Sequence, residues 1–355
     1  MKKICFFSGD ITRSGGTERV GIMIANGLLE RGFNITIISL EEKRETPFFF
    51  INESINRYVI KCNNKKNYFT IINKLLKIIK KNEIDILIDI DGILDIYSLP
   101  CKLFSRVKVI SWEHFNFYQT LGNRLRKPIR KLAGRYADKI ITLTEQDTKF
   151  YKDNLNLKSQ IDYIYNPISN NYIYDHDLNA KTIISVGRLT YQKGFDMLVE
   201  VAKNILVKHN DWKWIILGEG EDRELLESKI NEYKLKDRLI LQGNVKNVDD
   251  YYIKSSFFVL TSRFEGLPMT LLEAKKYKLP IISFDCKTGP SELIINNVNG
   301  YLIKEFDLLE LEKKINKLIE NQNILEEFTE NSLINLEKFS YNKIISKWER
   351  TLNDL

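Results

Sequence analysis

Glu265 and Glu273 carry the strongest chemical signal in this sequence, because two carboxylates stand beside residues that can start a helix. The apolar run from Phe257 to Thr261 precedes them and is typical of a buried parallel strand. Pro268 is suited to the first turn of a helix, where its missing N–H costs nothing. The stretch therefore predicts a strand, a tight loop containing Gly266, and a helix that begins at Pro268.

The start of such a helix favours an anion, because unpaired backbone N–H groups and the positive end of the helix dipole lie there. Gly266 leaves room for a phosphate to approach closely. Glu265 in the loop and Glu273, about a turn and a half into the helix, are poor partners for a phosphate but good ones for sugar hydroxyls. Together these residues predict a sugar-nucleotide site. The alternative is a capped surface helix with two solvated glutamates.

Arg188 and Lys193 form a second pair, in the loop after the predicted strand from Thr182 to Val186. Gly187 and Gly194 stand beside them. Two fixed cations at the carboxyl end of a strand can neutralise a diphosphate without a metal. The pair predicts a diphosphate clamp, and the alternative is a solvated loop.

The N-terminal half offers Gly15 and Gly16, after a predicted strand from Lys3 to Phe7, and His114, after a predicted strand from Val107 to Trp112. The glycines lack the full fingerprint of a dinucleotide-binding turn, which argues against an NAD-dependent oxidoreductase. The alternatives are a plain strand-to-helix turn for the glycines and a strand-end cap for the histidine.

Apolar runs alternate with helical patterns along the chain, and this alternation predicts parallel sheets whose ligands bind at the carboxyl ends of the strands. The 355 residues are too many for one ordinary core. The predicted class is therefore α/β with two Rossmann-like domains, 1–166 and 181–340, joined by a linker over 167–180. A final helix over 341–355 is expected to return to the first domain. The other predicted strands are Phe33–Leu40, Ile84–Ile90, Lys139–Thr144, Ile161–Tyr165, Trp212–Leu217, Leu239–Gln242 and Pro280–Phe284.

The net charge of +7 is distributed unevenly along the chain. Residues up to Asn166 include 28 Lys and Arg and 18 Asp and Glu, whereas the remainder includes 26 Lys and Arg and 29 Asp and Glu. The segment from Phe115 to Ala137 contains no acid, and its cations recur at helical intervals. This basic amphipathic pattern predicts docking on anionic lipid headgroups or on the diphosphate of a lipid-linked acceptor, and the alternative is a solvated helix face. Aromatic residues do not interleave the cluster, so no nucleic-acid partner is expected. The cations are Arg124, Arg126, Lys127, Arg130, Lys131 and Arg135.

The four cysteines, Cys5, Cys62, Cys101 and Cys286, have neither metal nor redox spacing, which indicates a reducing compartment and thiols that simply pack. The N-terminal apolar run is too short for a signal peptide, and no segment reaches membrane-spanning length. We expect a cytoplasmic protein that is peripheral on the inner face of the cytoplasmic membrane.

Three motifs, in this order, resemble the retaining glycosyltransferases of family four, whose two-Rossmann-domain architecture is called GT-B. They are Ser-Gly-Gly-Thr-Glu-Arg at 14–19, Gly-Arg-Leu with Lys-Gly within 187–194, and Phe-Glu-Gly-Leu-Pro-Met-Thr-Leu-Leu-Glu-Ala at 264–274. Glu113 and His114 also match members that build bacterial surface polysaccharides. The resemblance covers nearly the whole chain.

The resemblance implies an active site in a cleft between the domains. Glu273 would hold the ribose hydroxyls, Glu265 a hydroxyl of the donor sugar, and His114 would contact that sugar near the reacting carbon. Arg188 and Lys193 would clamp the diphosphate. The implied catalytic residues are His114, Glu265, Arg188 and Lys193, and the implied donor-binding residues are Gly15, Gly16, Arg188, Lys193, Glu265, Gly266, Leu267, Pro268, Met269, Thr270 and Glu273.

The implied reaction moves a hexose from a nucleotide sugar to a lipid-linked or surface-polysaccharide acceptor by front-side displacement, with retention of configuration and no metal or other cofactor. The sequence Thr-Gly-Pro-Ser-Glu at 288–292 looks closest to members that use UDP-galactose, UDP-glucose or an N-acetylhexosamine analogue in lipopolysaccharide or capsule synthesis. The alternative is a basic sugar-nucleotide- or nucleic-acid-binding module without turnover.

Overall fold

A computed structural model of the chain describes residues 2–61, 67–168 and 173–355. The chain forms two compact units, one comprising residues 1–169 with 339–355 and the other residues 170–338. Each unit contains a parallel sheet with helices between its strands. The predicted α/β class with two Rossmann-like domains is confirmed.

The described residues of the first unit form the strands β1 (Lys3–Ser8), β2 (Asn34–Ser39), β3 (Asn56–Val59), β4 (Ile86–Ile90), β5 (Lys108–Trp112), β6 (Lys139–Thr142) and β7 (Gln160–Tyr163). They pair in the order β3-β2-β1-β4-β5-β6-β7, and every pairing is parallel. The strand order reverses between β1 and β4, and both strands are almost entirely buried, as a sheet covered on both faces requires.

The helices of this part of the chain are α1 (Gly16–Glu30), α2 (Tyr68–Asn82), α3 (Asp95–Cys101), α4 (Arg126–Tyr136) and α5 (Glu145–Asn154). The helix α2 begins where the Asn67 side chain accepts a hydrogen bond from the Thr70 N–H, as an N-cap residue does. Its buried residues Ile71, Leu75 and Ile79 recur at helical spacing. They join residues of β1, β4 and β5 in one hydrophobic cluster.

The second unit forms the strands β8 (Thr182–Val186), β9 (Lys213–Leu217), β10 (Leu239–Gly243), β11 (Phe257–Leu260), β12 (Ile281–Phe284) and β13 (Gly300–Ile303). Its helices are α6 (Phe195–Lys208), α7 (Arg223–Glu232), α8 (Asp249–Ile253), α9 (Met269–Lys276), α10 (Pro290–Leu293), α11 (Leu308–Glu320) and α12 (Gln322–Glu330). The strands are parallel in the order β10-β9-β8-β11-β12-β13, so the order reverses between β8 and β11.

Two short strands, β3 and β13, are missing from the sequence prediction. Each has four residues and forms an edge of its sheet, and β3 has exposed or half-buried residues throughout. Such short edge strands lack the continuous apolar run that marks the central strands.

The last helix, α13 (Tyr341–Asn353), belongs to the first unit and packs on α1. A side chain at Gly27 would lie 2.5 Å from the Ile345 side chain, so the two helices approach closely there. Trp348 packs edge to face against Trp112, with 4.7 Å between the ring centroids.

Residues 173–180, within the predicted linker, pack on the second unit. The Tyr174 N–H donates to the Lys276 carbonyl oxygen at 2.8 Å, and His176 Nδ1 lies 2.9 Å from the Tyr277 carbonyl oxygen. Residues 169–172 of that segment lie outside the described residues.

The thiols of Cys5, Cys101 and Cys286 are free and buried, whereas Cys62 lies outside the described residues. Among the helices of the described residues, none is both long enough and apolar enough to cross a membrane.

Candidate active site

The loops after β8 and β11 carry the predicted cations and one of the predicted acids. These strands are neighbours where the order of the second sheet reverses, and open α/β sheets bind ligands at such points. Gly194 has a φ of 65°, and a side chain there would lie 2.1 Å from the carbonyl oxygen of Thr261. Glycine therefore lets the loop after β8 pass directly against the end of β11.

Lys193 and Glu265 contact each other although they stand 72 residues apart in the sequence. The Lys193 Nζ atom lies 2.6 Å from Glu265 Oε1, and the Ser262 hydroxyl donates to the same oxygen at 2.7 Å. Glu265 is only 6% exposed, and a charge-assisted contact in such surroundings fixes both side chains. The cation predicted for the diphosphate and the acid predicted for the sugar thus share one small volume.

Further contacts hold the two loops together. The Arg263 N–H donates to the Gln192 carbonyl oxygen at 2.8 Å, and the Arg263 guanidinium donates twice to the Asp196 carboxylate, at 2.8 and 2.7 Å. The hydrogen bond from Arg263 lowers the pKa of Asp196. The same guanidinium lies over the Tyr191 ring, 4.1 Å from its centroid. Arg263 and Ser262 were not predicted as site residues, although their position directly after a buried strand is a usable signal.

The residues from Gly266 to Thr270 lead into α9. Pro268 has an extended backbone with ψ of 111°, so the helix begins one residue later than predicted, because the proline ring fixes φ but not ψ. Leu267 is buried, and a side chain at Gly289 would lie 2.8 Å from the Gly266 carbonyl oxygen. The Thr270 hydroxyl is buried without a hydrogen-bond partner among the described residues. A hydroxyl in this state, in the first turn of a helix whose dipole favours negative charge, suits a bound anion.

Glu273 lies on α9 and is partly exposed. The Tyr252 hydroxyl lies 3.2 Å from Glu273 Oε2. The Tyr252 ring is buried and stacks on Tyr277, which stacks on Tyr174, with centroid distances of 4.9 and 5.1 Å. The stack fixes the Tyr252 hydroxyl, and this hydroxyl helps to orient the carboxylate. No spacing in the sequence links Tyr252 to Glu273, so the contact could not be predicted.

Arg188 and Lys193 are held differently. The Arg188 side chain is exposed and takes no part in the ion pairs among the described residues. The Lys193 side chain packs over Gly187, 3.2 Å from the position that a side chain there would occupy. Of the predicted clamp, Lys193 is therefore fixed by its surroundings, whereas Arg188 extends into solvent.

In the first unit, the predicted site residues Gly15 and Gly16 follow β1, and His114 follows β5. Gly15 is the N-cap of α1, and Gly16 is the first residue of that helix. His114 is buried, its ring lies 4.5 Å from that of Trp112, and its Nε2 atom has no partner among the described residues. Burial lowers the pKa of His114 to about 3, so the imidazole is neutral at neutral pH.

The predicted docking role is wrong for Arg126 and Arg130, because both side chains are buried. Arg126 donates twice to Asp91, at 2.6 Å each, and Arg130 Nε lies 3.2 Å from Glu113 Oε1. Burial disfavours the charged arginines, but these acids raise the pKa of both. The remaining predicted cations are exposed; these are Arg124, Lys127, Lys131 and Arg135.

A buried lysine on α9 makes the stability of the protein depend on pH. Lys275 Nζ donates to the Leu293 carbonyl oxygen at 3.1 Å, and burial lowers the pKa of Lys275 to about 8. The unfolded chain keeps this proton up to about pH 10. The charged side chain therefore destabilises the folded state at neutral pH, and stability is gained as the pH rises from about 8 towards 10.

We expect Lys275→Met to be more stable than the wild type at neutral pH by roughly 3 kcal/mol, with the difference closing towards pH 10. Urea denaturation of both proteins across this range measures it. A difference that does not change with pH would contradict the lowered pKa.

Comparison with known families gives two matches that together cover most of the chain. The family described as Glycosyltransferase Family 4 matches residues 14–171, and the family described as Glycosyl transferases group 1 matches residues 171–333.

The relatives that align over nearly the whole chain include one from Haemophilus influenzae and one from Erwinia amylovora. An uncharacterized glycosyltransferase of Haemophilus influenzae is 35% identical, over 99% of this chain and 100% of the relative. The amylovoran biosynthesis glycosyltransferase AmsD of Erwinia amylovora is 30% identical, also over 99% of this chain and 100% of the relative.

Among solved structures, a mutant of TarM from S. aureus, in complex with fondaparinux, alpha-GlcNAc-glycerol and UDP, has a TM-score of 0.84 to this chain. The similarity covers 99% of both chains at 18% identity, which shows a common fold.

Proposed function

This chain belongs to glycosyltransferase family 4 and has the GT-B fold, and from this premise we propose that it transfers a hexose from a uridine diphosphate sugar with retention of configuration. The proposed acceptor is a surface polysaccharide or its lipid-linked precursor. The observation that carries the proposal is the contact between Lys193 and Glu265, which brings a cation for phosphate and an acid for sugar together at the strand reversal of the second sheet.

The proposed donor site uses the start of α9 for phosphate and its second turn for ribose. The first turn of α9, where the helix dipole favours negative charge, and the buried Thr270 hydroxyl bind a phosphate. Glu273, oriented by Tyr252, accepts hydrogen bonds from the ribose hydroxyls. The presence of UDP in the TarM complex supports uridine as the nucleoside of the donor.

In the proposed reaction the acceptor hydroxyl attacks the anomeric carbon on the face from which the diphosphate departs. The bond between that carbon and the diphosphate oxygen breaks, the bond to the acceptor oxygen forms, and the acceptor proton passes to a diphosphate oxygen. Negative charge grows on the leaving group, so Lys193 and Arg188 stabilise the transition state more than the bound donor. Because these cations neutralise the diphosphate, we propose that no metal is required.

The proposed role of His114 is to form a hydrogen bond with the donor sugar. A histidine with a pKa of about 3 stays neutral during turnover, so it neither carries charge nor serves as a general acid at neutral pH. Its unpartnered Nε2 atom supports this role, because a buried polar atom gains from a partner.

The proposed acceptor class rests on the relatives and on charge. AmsD is named for amylovoran biosynthesis and aligns with the whole of this chain. Residues up to Asn166 include 28 basic and 18 acidic side chains. This net positive charge also suits an acceptor that carries phosphate.

A panel of sugar nucleotides tests the proposal. We expect UDP-hexoses or UDP-N-acetylhexosamines to raise the melting temperature more than GDP-sugars or NAD, because a ligand stabilises the state that binds it. Release of UDP in the presence of a lipid-linked acceptor, unaffected by a chelator, should accompany binding. The variant Glu273→Gln removes the proposed ribose contact and should lose the rise in melting temperature. If the chain binds the donor but never releases UDP, it is a binding module instead, and if no sugar nucleotide stabilises it, the donor site is wrong.

A further inference from the structure

The loop after β8 carries one large exposed aromatic side chain, Tyr191, between the proposed diphosphate cations Arg188 and Lys193. Tyr191 is 67% exposed and, among the described residues, does not belong to the hydrophobic core of the second unit. A single exposed apolar side chain is common on protein surfaces and by itself indicates nothing. This ring differs because the structure holds it in one position beside a proposed site.

Arg263 fixes the Tyr191 ring. Its guanidinium lies over the ring, 4.1 Å from the centroid, and donates to the Tyr191 carbonyl oxygen at 2.8 Å. The guanidinium is itself immobilised by Asp196, to which it donates at 2.8 and 2.7 Å, and the Arg263 side chain is only 14% exposed. One face of the ring is thus covered by a fixed cation, and the other face is open to a ligand.

The ring lies beside the proposed donor site and not within it. Tyr191 and Lys193 belong to one 3-10 turn, in which side chains two positions apart point about 120° apart. The Lys193 ammonium contacts Glu265, so the Tyr191 ring points in a different direction from that contact. Arg263, which covers the ring, stands two residues before Glu265. The open face therefore adjoins the end of the donor site that is proposed to hold the sugar.

From this geometry we propose that the open face of Tyr191 packs against a pyranose ring of the acceptor. The inference rests on the proposed transfer function and assigns that reaction a further binding residue. One face of a hexopyranose presents C–H groups while its hydroxyls lie around the rim, so the sugar can bury apolar surface on an aromatic ring and keep its hydroxyls in water. A ring that is already fixed loses little conformational entropy on binding.

The donor itself offers two other partners for an aromatic ring, and the arrangement of the site argues against both. A uracil base can stack on such a ring, but the base lies beyond the ribose, whose proposed contact Glu273 is on the second turn of α9. The donor hexose is assigned to Glu265, on the side of Lys193 from which the ring diverges. The acceptor sugar, which approaches that hexose from outside the donor site, is the ligand that fits this surface.

The test measures the binding of simple glycosides to the full chain by saturation-transfer NMR. The donor site is first filled with a phosphonate analogue of the UDP-sugar that the sugar-nucleotide panel finds, in which a methylene replaces the anomeric oxygen and prevents transfer. The probes are the methyl glycosides of glucose, galactose and N-acetylglucosamine. Tyr191→Ala removes the ring and Tyr191→Phe keeps it. The matched control, Phe306→Ala, removes a ring that is 54% exposed in the loop after β13, at the edge of the same sheet.

We expect the wild type, Tyr191→Phe and Phe306→Ala to bind at least one glycoside with similar affinity, and Tyr191→Ala to bind it at least about tenfold more weakly. UDP should raise the melting temperature of all four proteins equally, because the donor site is intact in each.

The inference alone is overturned if donor binding is intact and Tyr191→Ala matches the wild type, if Phe306→Ala loses as much, or if the wild type binds no glycoside. Loss of the UDP effect in Tyr191→Ala would also overturn it, by showing that the ring merely supports the donor loop. A wild type that no sugar nucleotide stabilises would instead contradict the proposed function, and the inference would fail with it.

Discussion

Lys193→Ala is expected to lower kcat/KM by about 10²–10³-fold, the usual effect of removing one group that stabilises developing negative charge. Lys193 is held 2.6 Å from Glu265 and is thus preorganised beside the proposed diphosphate. The variant also leaves the Glu265 carboxylate buried without this cation, which disturbs the proposed sugar contact. Most of the loss should appear in kcat, because leaving-group charge is greatest in the transition state.

Steady-state kinetics with the donor found in the sugar-nucleotide panel measure this effect. Lys246→Ala, at an exposed lysine of the same unit, is the control and should retain wild-type activity. Lys193→Arg separates charge from shape, since it keeps the cation but not the compact ammonium. Wild-type kcat in Lys193→Ala would remove this residue from the proposed mechanism.

Arg130→Met is expected to lower the free energy of unfolding by about 3–5 kcal/mol, as is typical when one partner of a buried ion pair is removed. Arg130 and Glu113 are each 2% exposed, so the variant leaves the Glu113 carboxylate buried without its cation. It also strips hydrogen bonds from the carbonyl oxygens of Phe117 and Gln119. Glu113 precedes His114, so the damage should reach the loop that carries the histidine.

Urea denaturation of Arg130→Met, of Glu113→Gln and of the double variant measures the pair. The double variant should be less destabilised than the sum of the single ones, because it removes the unpaired buried charge. The neighbouring Lys131→Met is the control, and an exposed position should change stability by about 0.5 kcal/mol at most. Equal effects at positions 130 and 131 would show that Arg130 is not the buried anchor described above.

The contrast between these two neighbours shows where sequence reasoning failed. Arg126 and Arg130 recur at the same intervals as the exposed cations of α4, so composition and periodicity predict solvent for all of them. Their partners, Asp91 and Glu113, lie just after the strands β4 and β5. Only the fold brings these acids to the inner side of the helix.

Local sequence patterns do determine the structure around Glu265. A buried apolar run followed by a glycine-bearing loop and a helix start predicted β11, α9 and the position of Glu265, with differences of one residue at Thr261 and at Pro268. Parallel topology predicted that Lys193 and Glu265 would lie at strand ends of one sheet. Their direct contact, and the roles of Ser262 and Tyr252, depend on side-chain positions that no sequence spacing specifies.

A crystal structure of the chain with UDP bound tests the central claim most directly. We expect the ribose hydroxyls within hydrogen-bonding distance of the Glu273 carboxylate, and the terminal phosphate at the start of α9 beside Lys193 and Thr270. UDP bound at another edge of the sheet, with Glu273 and Lys193 making no contact to it, would contradict the proposed donor site.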